Sequence, residues 1–263
     1  MPRMTAPLTL VIRAAGTNCD RELCHAFELA GSKTRTVHVN TLIEQPGLLE
    51  QAQLIAFPGG FSYGDDIAAG RIYANLLRHR LLAPLQAAVR RGTPILGVCN
   101  GFQVLVKLGL LPDPETGTQT VTLADNHSGR FTDRWVRLEA VTDSVCVWTK
   151  GLKSFDLPIA HGEGRFVARS QEVLDDLVSN KQIAIRYASD DNPNGSALDI
   201  AGVCDRSGLV LGLMPHPERY AHATHHPVWT SMTASALAQT PAGLRFFLNA
   251  VEHVARQSAL VTA

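Results

Sequence analysis

Cys99 sits between glycines in the run Pro94-Ile95-Leu96-Gly97-Val98-Cys99-Asn100-Gly101-Phe102-Gln103-Val104-Leu105. An apolar run enters a Gly-x-Cys-x-Gly turn and residues at helical apolar spacing leave it, the pattern of a nucleophile elbow. Gly97 and Gly101 suit a turn in which strained backbone and close strand-to-helix approach exclude Cβ atoms. The following helix aims free N–H groups and its positive dipole end at Cys99, which favours negative charge on sulfur. Nucleophilic attack by a thiolate is the chemistry implied. A buried structural cysteine fits the same run equally well, so partners elsewhere must decide.

A thiol nucleophile needs a base, and imidazole, with an ordinary pKa of about 6.5, suits that task near neutrality. His216 follows the apolar run 209–214, which predicts a strand end, and Pro215 and Pro217 hold its segment extended. Glu218 has the right chemistry to orient the imidazole. The spacing leaves that contact open: residues two apart share a face in a strand but diverge in a polyproline-like turn. Gly59-Gly60 closes another apolar run, 54–57. An N–H at Gly59 or Gly60, with that of Asn100, would supply the two donors an oxyanion needs.

Three other polar groups carry less chemistry. His222, His225 and His226 lie in a turn-rich stretch without Cys or carboxylate at ligand spacing, so an exposed loop is expected and no metal site is assigned. Cys19 precedes a predicted helix but has no evident base and is read as structural. Asp65-Asp66 reads as a solvated loop after Gly64.

These residues need strand ends to hold them. Residues 8–12 read as a strand covered on both faces, 20–30 as a helix stopped by Gly31, 36–39 as a second strand and 54–57 as a third. A helical region over 72–91, with a break at Pro84, leads to the elbow strand. The alternation predicts a doubly wound, mostly parallel α/β sheet flanked by helices, with ligands at the carboxyl ends of its strands. Beyond Pro112 the texture changes to short β-type runs such as 135–138 and 145–148, which predict extra antiparallel strands. A helix over 171–178, a strand over 183–187, and a hairpin of 200–204 with 209–214 follow. The last helix starts near Thr240-Pro241, with Leu244, Phe247, Leu248 and Val251 on one face.

The 263 residues are 45% hydrophobic and 18% charged, enough for a sizeable core. Lys plus Arg and Asp plus Glu each total 24, so no basic field points to nucleic acid. Five dispersed cysteines form no C-x-x-C pair, and neither a disulfide framework nor a zinc site is read from them. The apolar stretch 8–12 is too short for a signal peptide, and no run is long enough to span a bilayer. A cytoplasmic protein is expected.

Gly97-Val98-Cys99-Asn100-Gly101-Phe102-Gln103 with Pro215-His216-Pro217-Glu218-Arg219 resembles the class I, or triad, glutamine amidotransferases. Four further runs narrow the likeness: Gly16-Thr17-Asn18-Cys19-Asp20, Phe57-Pro58-Gly59-Gly60-Phe61-Ser62-Tyr63-Gly64-Asp65-Asp66, Ala160-His161-Gly162-Glu163-Gly164-Arg165-Phe166 and Asn192-Pro193-Asn194-Gly195-Ser196. Within the family they resemble the glutaminase subunits of phosphoribosylformylglycinamidine synthases.

The resemblance implies a single flavodoxin-like amidotransferase domain over 1–263, with a tail from 221 that includes the terminal helix. It implies Cys99 as nucleophile, His216 as base then acid and Glu218 as its orienting carboxylate. Gly60, beside Gly59, and Asn100 would form the oxyanion hole. Gln103, His161 and Gly162 would hold the amino-acid end of glutamine. The reaction implied is hydrolysis of glutamine through a cysteinyl thioester, with ammonia passed to a separate synthetase subunit and a small accessory subunit as further partner. ATP and Mg would belong to the synthetase, and this chain would carry no cofactor or metal. Phe102 stands where some relatives carry a second cysteine. The alternative is a stand-alone cysteine esterase or peptidase on a similar sheet.

Overall fold

A computed structural model of the chain describes residues 6–261. Eleven strands are present among them: β1 (Leu8–Arg13), β2 (Lys33–His38), β3 (Leu54–Phe57), β4 (Ile95–Val98), β5 (Val121–Asp125), β6 (Thr132–Ala140), β7 (Ser154–His161), β8 (Glu163–Ala168), β9 (Ile183–Tyr187), β10 (Ile200–Cys204) and β11 (Val210–Leu213). Nine of them form one sheet in the order β2-β1-β3-β4-β11-β10-β9-β6-β7, and β5 pairs with β8 in a second. The pairs from β2 through β4 to β11 are parallel, and those from β11 to β7 are antiparallel. This is the mostly parallel, doubly wound sheet with antiparallel additions that the alternation of runs predicts.

The central strands are short, and every residue of β3, β4 and β11 is buried, as apolar strands covered on both faces must be. The covering helices are α1 (Asp20–Leu29), α2 (Val39–Glu44), α3 (Leu48–Gln51), α4 (Arg71–Arg80), α5 (Leu82–Arg90), α6 (Asn100–Leu108), α7 (Gln171–Ser179), α8 (Ala234–Leu237) and α9 (Ala242–Val261). Phe27 of α1 meets Phe247 of α9 edge-on, with ring centroids 4.9 Å apart, so the terminal helix closes over the sheet. Phe102 of α6 is fully buried over β11, where a Cβ on Gly212 would stand 2.0 Å from its ring. Burying such a ring contributes about 2–3 kcal/mol. That packing accounts for an aromatic residue at 102.

Three expectations need correction. Residues 145–148 form no strand: Trp148 is buried, its Nε1 donates to Leu209 O at 2.8 Å, and Val147 N donates to Gly208 O at 3.0 Å. The run is apolar because it plugs the side of the β10–β11 hairpin, a burial that periodicity does not distinguish from a strand. The helical stretch after residue 71 breaks at Leu81 rather than at Pro84, which lies in the first turn of α5, where its missing N–H costs nothing. β2 starts at Lys33 and ends at His38, because Val39 opens α2 with His38 Nδ1 accepting from Asn40 N at 3.2 Å. Among the described residues no helix is long and apolar enough to cross a membrane.

Candidate active site

β4 delivers Cys99 on strained backbone, with φ 51° and ψ −106°, at the N-cap of α6. Its N–H donates to Leu213 O at 2.8 Å, which ties the elbow to the end of β11. The flanking glycines are steric requirements. A Cβ on Gly101 would lie 2.0 Å from Phe57 O, and one on Gly97 would lie 2.6 Å from Leu105 Cδ1 and 2.8 Å from Gly101 O. The turn therefore brings α6 against β3 more closely than any side chain permits. The thiol is 6% exposed and points at Ala160 O, 3.6 Å away.

β11, the neighbour of β4, ends just before His216, whose N–H donates to Pro158 O of β7 at 2.8 Å. The segment leaves the strand for a short 3-10 turn over Pro217–Tyr220, and this bend brings Glu218 back onto the ring. His216 Nδ1 and Glu218 Oε1 are 2.6 Å apart, both side chains essentially inaccessible to water. Nε2 on the other edge of the ring and the second carboxylate oxygen, Oε2, have no hydrogen-bond partner. Burial works against a charge on His216, but the Glu218 carboxylate, the Cys99 sulfur and the Cys19 thiol outweigh it and hold the imidazole well above its usual range. A proton is thereby favoured on the ring beside Cys99. Of the two geometries that the sequence leaves open, the one that turns Glu218 back onto the imidazole is realised.

Gly59 and Gly60 follow β3. A Cβ on Gly59 would meet His216 Cε1 at 2.9 Å, Cys19 Sγ at 3.3 Å and Cys99 Cβ at 3.5 Å, so three reactive side chains converge on this α-carbon. Gly60, at φ 146°, makes an isolated antiparallel bridge with Thr17, carried by Phe61 N to Gly16 O and Asn18 N to Gly59 O. That bridge leaves the Gly60 N–H pointing away from Thr17, and Asn100, as the first residue of α6, has no intrahelical acceptor for its own N–H. Both N–H groups are thereby left outside the bridge and the helix ladder. The loop beyond is fixed by side chains: Asn100 Oδ1 accepts from Ser62 N at 3.2 Å, and its Nδ2 donates to Asp65 Oδ1 at 3.2 Å and to Gln103 Oε1 at 2.9 Å. Asp65, at positive φ without being glycine, is held by this network, and Tyr63, also at positive φ, by its N–H to Ala15 O at 2.8 Å.

The wall facing Cys99 is the β7–β8 turn. Gln103 Nε2 donates to Glu163 O at 2.6 Å, so this side chain braces the turn against α6. His161 is buried, its Nδ1 2.9 Å from Asn126 Oδ1 and its Nε2 without a partner. Burial, and next the nearby charge of His216, push its pKa down to about 4, so the ring is neutral at physiological pH. Asn126 also donates to His161 O at 2.8 Å and accepts from Gly164 N at 3.2 Å, while its own N–H reaches Gly162 O at 2.8 Å. One amide side chain thereby shapes the whole His161-Gly162 turn. From 192–196, Asn194 Nδ2 donates to Gly164 O at 2.9 Å and Ser196 Oγ accepts from Phe166 N at 2.9 Å, which prop the turn from behind.

Sequence reasoning missed three placements. Cys19, read as structural and without a base, lies beside the base: donor atoms of Cys19, His216 and Glu218 all fall within 4.8 Å of one another, and Arg219 Nη2 donates to Cys19 Sγ at 3.2 Å. The bridge between residues 17 and 60 creates this contact, and no local pattern signals it. Asp65 is no solvated carboxylate, since it accepts from Gly70 N at 3.1 Å as well as from Asn100. Burial, ahead of its hydrogen bonds, leaves its pKa raised. His226 is buried against Trp135 and Tyr220 with Nε2 3.5 Å from Asp156, whereas His222 and His225 are exposed as expected.

Residues 6–254 match the CobB/CobQ-like glutamine amidotransferase domain family. The chain is 45% identical over 258 residues to a protein of Dehalococcoides mccartyi named phosphoribosylformylglycinamidine synthase subunit PurQ, covering 95% of this chain and 98% of that one. It is 42% identical over 233 residues to the protein of the same name from Methanococcus maripaludis, covering 84% of this chain and 85% of the relative. Among solved structures it is similar to a chain of PurLQS from Thermotoga maritima, with a TM-score of 0.72 and 32% identity over 94% of this chain and 99% of that chain.

Proposed function

The chain belongs to the CobB/CobQ-like glutamine amidotransferase family, and on that premise we propose that Cys99, His216 and Glu218 hydrolyse glutamine to glutamate and ammonia. The activity is that of the glutaminase subunit of phosphoribosylformylglycinamidine synthase, the enzyme of which the relatives matched over 98% and 85% of their length are named as subunits. Cys99 Sγ attacks the side-chain carboxamide carbon, and the oxyanion is met by the N–H groups of Gly60 and Asn100. The proton that Glu218 helps keep on His216 goes to the departing ammonia, leaving a γ-glutamyl thioester on Cys99. Water, deprotonated by the now neutral His216, attacks the thioester and releases glutamate. Gly59, Gly162, His161 and Gln103 shape the floor and far wall against which the amino-acid end of glutamine lies.

Ammonia passes to the synthetase subunit, which with a small accessory subunit completes the enzyme. That partner uses ATP and Mg to convert formylglycinamide ribonucleotide to its amidine. Phe61 and Phe131, exposed with ring centroids 6.3 Å apart, flank the loop of Gly59-Gly60 and the Gly162 turn, and they offer an apolar rim for partner contact. Docking there bears directly on the oxyanion loop, so glutamine hydrolysis is expected to rise when the synthetase binds. The five free cysteines suit the reducing cytoplasm in which we place the reaction.

The observation that carries this reading is the buried 2.6 Å pairing of Glu218 with His216 just past the end of β11, the strand next to β4, which leads into the strained Cys99. A glutamine-like electrophile tests it. Peptide mapping should place one adduct on Cys99 with glutamine protecting, and an adduct on Cys19 instead would overturn the nucleophile assignment.

A further inference from the structure

Glu163 opens β8 directly after the His161-Gly162 turn, and the chemistry of glutamine hydrolysis gives its carboxylate no task. Both carboxylate oxygens accept from Ala69 N, at 3.1 and 3.2 Å. Lys107 Nζ of α6 lies 3.9 Å from Glu163 Oε2 and donates to Ala69 O at 2.6 Å. One residue of the loop before α4 is therefore gripped at both its N–H and its C=O. Ala69 leads into Gly70, which packs on α6: a Cβ there would meet Val104 Cγ2 at 3.0 Å and Gln103 Cβ at 3.3 Å.

These contacts close a ring of hydrogen bonds. Gly70 N donates to Asp65 Oδ1, Asn100 Nδ2 donates to the same oxygen and to Gln103 Oε1, and Gln103 Nε2 donates to Glu163 O. Glu163 stands at both ends of the circuit, by its main chain at Gln103 and by its carboxylate at Ala69. With Oε1 accepting and Nε2 donating, the Gln103 amide has one orientation that keeps the ring whole. Fold stability is a poor reason for such a charge pair. The Lys107 and Glu163 side chains are 11% and 26% exposed, and burial outweighs Glu163 to hold the Lys107 ammonium below its usual range. Both residues line a cavity of about 700 Å³ instead of filling the core. We propose that Glu163, with Lys107 as its partner, is a positioning residue that fixes the Gln103 amide and the adjoining turn for the amino-acid end of glutamine, and so sets affinity for the substrate. This rests on the reading above that Gln103 and the His161-Gly162 turn hold that end. The amino-acid end is unchanged by the reaction, so an interaction lost there is lost equally in the ground and transition states; KM moves and kcat does not.

The test uses the full chain in the reconstituted complex, with glutamate release followed over a range of glutamine concentrations. Glu163→Ala is expected to raise KM about 10-fold, the worth of one hydrogen bond to a charged group, and to leave kcat within about 2-fold of the wild type. Glu163→Gln keeps the shape and an oxygen to accept from Ala69 N but loses the charge opposite Lys107, so its KM should fall between the two. It carries the same comparison if the alanine variant does not fold. A second readout needs no turnover. A glutamine-like electrophile that carries the α-amino and α-carboxylate groups should alkylate Cys99 of Glu163→Ala about 10-fold more slowly than in the wild type, whereas a small haloacetamide, which lacks that end, should alkylate both at one rate. An unchanged KM in both variants would overturn the proposal, even with a lowered melting temperature, the mark of a purely structural tie. A fall in kcat alone, or equal slowing of both reagents, would overturn it too, making the carboxylate a prop for the elbow. Failure of the catalytic reading itself shows instead in the wild type, where the glutamine-like electrophile would leave Cys99 unlabelled.

Discussion

In the parallel half of the sheet, β3 and β4 deliver Gly59-Gly60 and Cys99 through backbone sterics, with Gly97 and Gly101 admitting contacts that no Cβ survives. In the antiparallel half, the facing wall at His161-Gly162 is held by side-chain amides, chiefly Asn126 and Asn194. The difference has consequences for how each part tolerates change. A steric device fails when any atom is added, because packed backbone has nowhere to go. An amide hub fails by degrees as its hydrogen bonds are removed.

The largest effect expected is from Gly101→Ala, whose Cβ would sit 2.0 Å from Phe57 O. It should cost more than about 4 kcal/mol and leave no measurable glutaminase, by denaturant titration and a glutamate-release assay. A folded, active variant would mean that the elbow can relax and that the two halves do not differ as described. Asn126→Ala should cost about 3 kcal/mol, since several buried groups lose partners, yet it should still fold and retain reduced turnover. Complete inactivity without loss of stability would sharpen the comparison differently, making Asn126 a substrate contact.

The smallest effect is a pH slope. His161 has an ordinary value of 6.5 when unfolded and one of about 4 when folded, so its neutral form is favoured by the fold. Its contribution is full above pH 6.5 and is lost as pH falls toward 4, about 2 kcal/mol between pH 7 and pH 5. Urea midpoints at those two pH values should differ more for the wild type than for His161→Gln. Equal slopes would contradict the burial of a neutral imidazole there.

The same division explains what was legible in the sequence. Glycines spaced two residues either side of Cys99, and prolines either side of His216, are local signals, and both strand ends stand where those signals put them. The hairpin 200–204 with 209–214 was equally local, because its turn residues stand between two apolar runs. Asn126 carried no such signal: a lone asparagine in a turn-rich stretch is common, and its work depends on His161, 35 residues away. The surroundings of Cys19 are not legible for the same reason, since a contact across 200 positions to Arg219 leaves no periodicity behind. Residues 145–148 show the converse, a strand-like composition produced by burial against a hairpin.

The central claim is that Cys99, presented by the parallel half, is the only route by which glutamine feeds the complex. The direct measurement is ATP-dependent amidination by the complex reconstituted with Cys99→Ala, with glutamine or with ammonium as nitrogen source. The glutamine-supported rate should fall by at least about 10⁴-fold while the ammonium-supported rate stays at the wild-type level. Retained glutamine-supported turnover, or equal loss of both rates, would contradict the assignment.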